Sequence, residues 1–135
     1  MSEKRIVLLA AGALALMAGP ALAAGDPAAG EQIFKHTCML CHRIGPGAAN
    51  FVGPDLNGID GRTIASEAGY DYSAADQAKK AAGFVWNAQS FDNYITNPQA
   101  AIPGTKMLFP GLPKASDRAN IWAYISQFKP DGSKK

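Results

Sequence analysis

The segment Cys38-Met39-Leu40-Cys41-His42 places two thiols and an imidazole within five residues. Cysteines three positions apart lie about one helical turn from each other, so both thiols reach one edge of a single planar macrocycle. The adjacent histidine then faces the centre of that plane. Cys-x-x-Cys-His is the attachment signature of c-type haem, in which two thioethers anchor the porphyrin and a neutral imidazole nitrogen suits the iron. Plainer readings of these residues are a thioredoxin-like redox pair, half of a zinc site, or a disulfide. A zinc site wants four ligands, but His36, Cys38, Cys41 and His42 crowd into seven residues and no second pair follows elsewhere. The redox reading expects strands alternating with crossover helices, and the chain shows almost no period-2 alternation. His36 reads as an exposed bystander.

A six-coordinate iron needs a second axial ligand, and the chain has four methionines. Met1 and Met17 belong to a segment expected to be removed, and Met39 lies between the anchoring cysteines. Met107 remains. It sits in Ile102-Pro103-Gly104-Thr105-Lys106-Met107-Leu108-Phe109, a Pro/Gly-bearing loop with an apolar finish that approaches a ring without helix geometry. His/Met is a known axial pair. As a core methionine filling a gap, Met107 would instead leave the sixth position open.

The elements that must position these groups follow from pattern. Lys4 and Arg5 precede an apolar run from Ile6 to Ala18, then Gly19-Pro20 and Ala21-Leu22-Ala23, which reads as a secretory signal peptide cleaved after Ala23 or one residue later. The run is short for a membrane span. Residues 24–135 then form a single domain, with a composition that is globular (47% hydrophobic over the whole chain) and both cysteines assigned to the haem. Asp26-Pro27 caps a helix expected to run to about Thr37, with Gly30, Ile33 and Phe34 on one face. A last helix is expected with Ser116 as cap, Asp117 near its positive end, and Ile121, Trp122, Ile125 and Phe128 as its apolar face. A short helix is expected near Gln89 to Thr96, and another turn begins at Asn97-Pro98. Between His42 and Trp86 the glycine and proline content predicts loops, with Arg43 to Gly58 wrapping the histidine side.

Four stretches in order resemble class I c-type cytochromes, close to mitochondrial cytochrome c and bacterial cytochrome c₂. They are Gly30-x-x-x-Phe34-x-x-x-Cys38-x-x-Cys41-His42, then Gly53-Pro54-Asp55-Leu56-Asn57-Gly58-x-x-Gly61-Arg62, then Trp86 with Tyr94 and Asn97-Pro98, and the Met107 loop through Gly111. The resemblance covers essentially all of residues 24–135. It implies an all-α, small cytochrome c fold in which crossed N- and C-terminal helices, short helices and loops wrap one haem c attached through Cys38 and Cys41. Gly30 then permits close approach, with Ile121 and Tyr124 over Phe34. It further implies that the Pro54 carbonyl accepts the proton on the free nitrogen of His42, orienting the ligand. Arg62, Tyr72 and Trp86 resemble donors to a buried haem propionate, a group costly to bury without them. Tyr94 and Thr105 resemble the pair that hydrogen-bonds around the Met107 sulfur or nearby. The segment Ser73 to Gly83 is longer than in mitochondrial forms, so its register is open, and Asp76 or a neighbour occupies a place usually taken by asparagine.

Two function classes follow. Iron closed by His42 and Met107 suits a diffusible one-electron carrier and implies no enzyme. A peroxidase or gas-binding module would need an open sixth position with polar distal groups, and no spare histidine is placed for acid–base work. The resemblance places such a carrier in the bacterial periplasm as a monomer without nucleic acid. Its implied partners dock transiently at the exposed haem edge: a cytochrome bc complex, terminal oxidase, photosynthetic reaction centre or periplasmic dehydrogenase. Without Lys4, Arg5 and Glu3 the chain carries 11 basic and 10 acidic side chains. With the haem's own charges the total is close to zero, roughly 0 oxidised and −1 reduced. Gln99, Ala100 and Thr37 stand where the family commonly has lysines, leaving Lys106, Lys114, Lys35 and Arg43 at the edge. That predicts docking through a weak field aided by Phe109, Pro110 and Leu112.

Overall fold

The computed structural model describes residues 24–135, so the expected signal peptide over residues 1–23 lies outside the described residues. Five α-helices occur among them: α1 (Pro27–Thr37), α2 (Ala74–Ala81), α3 (Ala88–Thr96), α4 (Pro98–Ala101) and α5 (Ala115–Ile125), with a 3-10 turn over Cys38–Leu40. There are no strands among the described residues, only isolated bridges between Thr63 and Val85 and between Phe128 and Lys134. None of the described helices is long and apolar enough to cross a membrane.

The first helix starts where its cap chemistry dictates. The Asp26 carboxylate accepts from the Ala28 amide, and Pro27 occupies the first helical position. Gly30 is buried against α5, where an added Cβ would collide with the Asn120 carbonyl and come within 2.9 Å of Tyr124 Cβ. The missing side chain therefore lets the backbones of α1 and α5 touch. Phe34 and Ile121 seal the crossing at 2% exposure each, with the Phe34 and Tyr124 ring centroids 5.5 Å apart. Trp122 turns toward α3 instead, its ring 5.3 Å from Phe91. Phe128 lies beyond the helix end but is buried in the same apolar cluster.

Two expectations are corrected here. Ser116 does not cap α5: Lys114 holds the cap position, one residue before the helix begins, and no side chain closes it. Arg118 occupies the carbonyls just upstream instead, donating to Leu112 O and Pro113 O at 2.9 Å each. The stretch from His42 to Trp86 is also not all loop, because α2 interrupts it. Ser73 caps α2 through a 3.0 Å bond from the Asp76 amide, and Ala75 packs against the methionine loop, 3.4 Å from where a Cβ on Gly104 would stand. A second apolar cluster of Ile64, Ala65, Tyr94 and Ile102 lies beside the main one, and Trp86 and Met107 pack against both.

Candidate functional site

The chain leaves α1 through the 3-10 turn, where the amides of Cys41 and His42 both donate to the Cys38 carbonyl at 3.0 and 2.9 Å. This tight turn presents both cysteines half-buried, with Cys38 packed against the core. Burial pushes the Cys38 thiol up to about 12, with Cys41 adding to the effect. A redox dithiol wants the opposite, a thiolate stabilised near neutral pH. Nor do three His, Cys, Asp or Glu side chains converge anywhere among the described residues to hold a metal as a cluster.

Loop 43–58 sets the imidazole. His42 Nδ1 donates to the Pro54 carbonyl at 2.8 Å; since a carbonyl only accepts, the proton is on Nδ1 and Nε2 keeps its lone pair. Burial lowers the His42 pKa, the Pro54 bond opposes that, and the Arg62 charge lowers it further, so the ring is held neutral. Gly53 lies flat against this ring: an added Cβ would overlap Cε1 and stand 2.7 Å from Nδ1. The Gly53 amide is pinned to the Cys41 carbonyl at 2.8 Å, which ties the loop to the cysteine turn.

The helices α3 and α4 carry the methionine side. A reciprocal capping box between Asn87 and Ser90 starts α3, and the Asn97 side chain accepts from the Ala100 amide to start α4. From α3, the Tyr94 hydroxyl lies 3.2 Å from Thr105 Oγ1 and 3.5 Å from Met107 Sδ. From α4, Gln99 donates to the carbonyls of Thr105 and Met107 at 3.0 and 2.9 Å, fixing the loop backbone on both sides of Lys106. Sequence reasoning treated Gln99 only as a missing lysine. Its position one turn before a glycine-bearing loop, with two amide donors, was the available signal.

Arg62, Tyr72 and Trp86 come together through the backbone and one unforeseen carboxylate. The Trp86 amide donates to the Arg62 carbonyl at 2.9 Å. Glu67 accepts from Arg62 Nη1 at 2.9 Å, and its amide donates to the Tyr72 hydroxyl at 3.3 Å. Arg62 also donates to the carbonyls of Asn57 and Asp55, so three of its bonds are internal. The Trp86 ring packs edge-on against Phe84 and Tyr94 at 4.9 and 5.1 Å. Lys106 is engaged as well, its Nζ 2.7 Å from Asp71 Oδ2, which holds the Asp71 carboxyl below its usual range.

The exposed apolar edge differs from expectation. Phe109 and Leu112 are half-buried against the core, while Leu108 is 89% exposed. Beside the cysteine turn, Leu40, Phe51 and Val52 are exposed too, with the Arg43 guanidinium 4.2 Å over the Phe51 ring. These residues fit haem c by their chemistry: paired thiols in one turn, an imidazole with Nε2 free and its other nitrogen locked, a thioether beside a hydroxyl, and a nearby guanidinium and phenol.

The family model described as Cytochrome c matches residues 27–129. The chain is 53% identical over 134 residues to cytochrome c-554 of Methylosinus trichosporium, covering 99% of this chain and 98% of that one. It is 55% identical over 111 residues to cytochrome c2 of Rhodoblastus acidophilus, covering 82% and 100%. Among solved structures, cytochrome c2 from Rhodospirillum centenum superposes with a TM-score of 0.73 at 39% identity, covering 78% of this chain and all of that one.

Proposed function

Because the chain belongs to the cytochrome c family, whose members bind haem c covalently, we propose that it is a periplasmic one-electron carrier anchored at Cys38 and Cys41 and closed by His42 and Met107. Bound haem supplies the one-electron ferric/ferrous couple. The observation that carries the reading is the matched pair of preset donors. His42 has its Nδ1 proton committed to Pro54, and Met107 stands in a loop held by Gln99 and Tyr94. Both are in place before any electron arrives, so little rearrangement accompanies transfer. Arg62 and Tyr72 would hold the propionate side of the haem, with Glu67 balancing the Arg62 charge. The soft sulfur and apolar surroundings of Met107 favour the reduced state.

The carrier docks at its haem edge on a membrane oxidoreductase, a photosynthetic reaction centre or a soluble dehydrogenase. Leu40, Phe51, Val52 and Leu108 supply apolar contact, and the Lys106 charge is already countered by Asp71. Brief encounters of this kind use small interfaces.

Visible spectra of the purified ferric and ferrous protein, with and without cyanide or carbon monoxide, test the closed site. The native ferrous protein is expected to bind carbon monoxide poorly. Met107→Ala is expected to admit it readily and to lower the midpoint potential. Rapid binding by the native protein would overturn the carrier reading in favour of an open-site enzyme or gas-binding module.

A further inference from the structure

Asp76 is a buried carboxylate in a protein with few of them, at 7% exposure. Its Oδ2 accepts from Ser73 Oγ at 2.7 Å and from Thr105 Oγ1 at 3.4 Å. Thr105 Oγ1 in turn lies 3.2 Å from the Tyr94 hydroxyl, which lies 3.5 Å from Met107 Sδ. Four groups thus form one chain from α2 to the methionine sulfur. Nothing in the electron-carrier reading requires an acid at its far end.

Proton counting gives the acid a role. A carboxylate only accepts, and Thr105 and Tyr94 each have one hydroxyl proton to place. With Asp76 ionised, the Thr105 proton goes to Oδ2, and Thr105 Oγ1 is left as an acceptor. Tyr94 then chooses between that oxygen and the thioether, and oxygen is the stronger acceptor. Tyr94 is buried, and Thr105 Oγ1 and Met107 Sδ are the two acceptors within its reach. We propose that Asp76 is a positioning residue that turns the Tyr94 proton toward Thr105 and away from the Met107 sulfur, leaving that sulfur electron-rich and the midpoint potential lower than a neutral residue would give.

The proposal rests on Met107 being the iron ligand. In Asp76→Asn, the amide donates to Thr105 Oγ1, the Thr105 proton moves to Tyr94, and the Tyr94 proton moves to the sulfur. Thr105→Val reaches the same end differently, because it keeps the Asp76 charge and removes the competing acceptor.

The test is equilibrium redox titration of the haem-loaded native protein, Asp76→Asn, Thr105→Val, Tyr94→Phe and the Asp76→Asn/Tyr94→Phe double variant. The methionine-to-iron charge-transfer band of each ferric form is recorded in parallel. Asp76→Asn and Thr105→Val are both expected to raise the potential with the band retained, and the Asp76→Asn shift is expected to shrink when Tyr94 is phenylalanine. An unchanged potential in Thr105→Val, or an equal Asp76→Asn shift with and without the Tyr94 hydroxyl, would overturn the relay. Absence of the band in the native ferric protein would instead remove the ligation reading beneath it. Should Asp76→Asn fail to fold, Thr105→Val alone decides the direction.

Discussion

At the scale of single residues, Gly53 is the sharpest test of how the imidazole is placed. Its backbone needs no special conformation, yet a methyl there would overlap the His42 ring. Gly53→Ala should therefore push the imidazole off its bond to Pro54 or force the pinned loop outward, at a cost of about 1–3 kcal/mol for overpacking. The expected result is a perturbed axial ligand field in the absorption spectrum together with a lower melting temperature. A native spectrum would mean that the loop yields while the ring stays. Single residues were also the most legible part of the site. Cys38, Cys41 and His42 are rare residue types at a diagnostic spacing, Met107 is what remains of four methionines by elimination, and the Pro54 contact that the resemblance implies is present at 2.8 Å. Glu67 and Gln99 escaped notice because a carboxylate and an amide are common surface groups. Only the folded loops give them Arg62, Tyr72 and two backbone carbonyls as partners.

At the scale of elements, α1 was readable to its end residues because cap, proline and apolar spacing all agreed. The helix α2 was not, because it buries Asp76 rather than an apolar stripe. Ser73-x-x-Asp76 is nonetheless a cap signature and was the usable signal. Ser116 misled because a hydroxyl near a helix start resembles a cap, while the backbone had already turned helical at Ala115. The α1 and α5 crossing yields two predictions. Gly30→Ala should cost about 3 kcal/mol by prying the helices apart, seen as a lower denaturation midpoint, since the colliding atom is a backbone carbonyl that cannot turn aside. Tyr124 has its pKa raised from 10.0 mainly by burial, then by the Glu31 charge, with Lys35 opposing. The folded state thus disfavours the tyrosinate. Stability from this residue is whole below about 10 and is lost as pH climbs past the unfolded value through the raised folded one. Tyr124→Phe should flatten part of that alkaline fall in thermal melts, and an identical fall would place its cause elsewhere.

At the scale of the whole molecule, charge is scattered in small pairs: Lys35 with Glu31, Lys106 with Asp71, Lys114 with Asp117 and Lys135 with Asp60. Paired surface charges contribute little to long-range steering, and salt screens what remains over about 8–10 Å. Stopped-flow reduction by a small protein partner should slow only modestly as ionic strength rises. Leu40→Asp or Phe51→Asp should slow it more than Lys114→Glu does. A steep salt dependence, or indifference to both apolar variants, would move the docking face away from the cysteine turn.

The contact between the Asp26 amide and the Asn120 side chain, 94 positions apart, also bears on the order in which the molecule is made. The cysteine turn and the three other helices lie between α1 and α5, so α1 cannot bury its apolar face until that whole stretch has been gathered in. Closing so long a loop is slow and entropically unfavourable until the contacts form. Until then the cysteine turn, which follows directly on α1, belongs to an unfolded and accessible polypeptide. Packing of Ile121 and Tyr124 over Phe34 is the step that fixes α1, and with it the start of that turn. The helix crossing is in this sense a late latch: until it closes, the thiols stay open to whatever installs their cofactor in the exported chain, and a chain cut short of Ile121 would lack the latch.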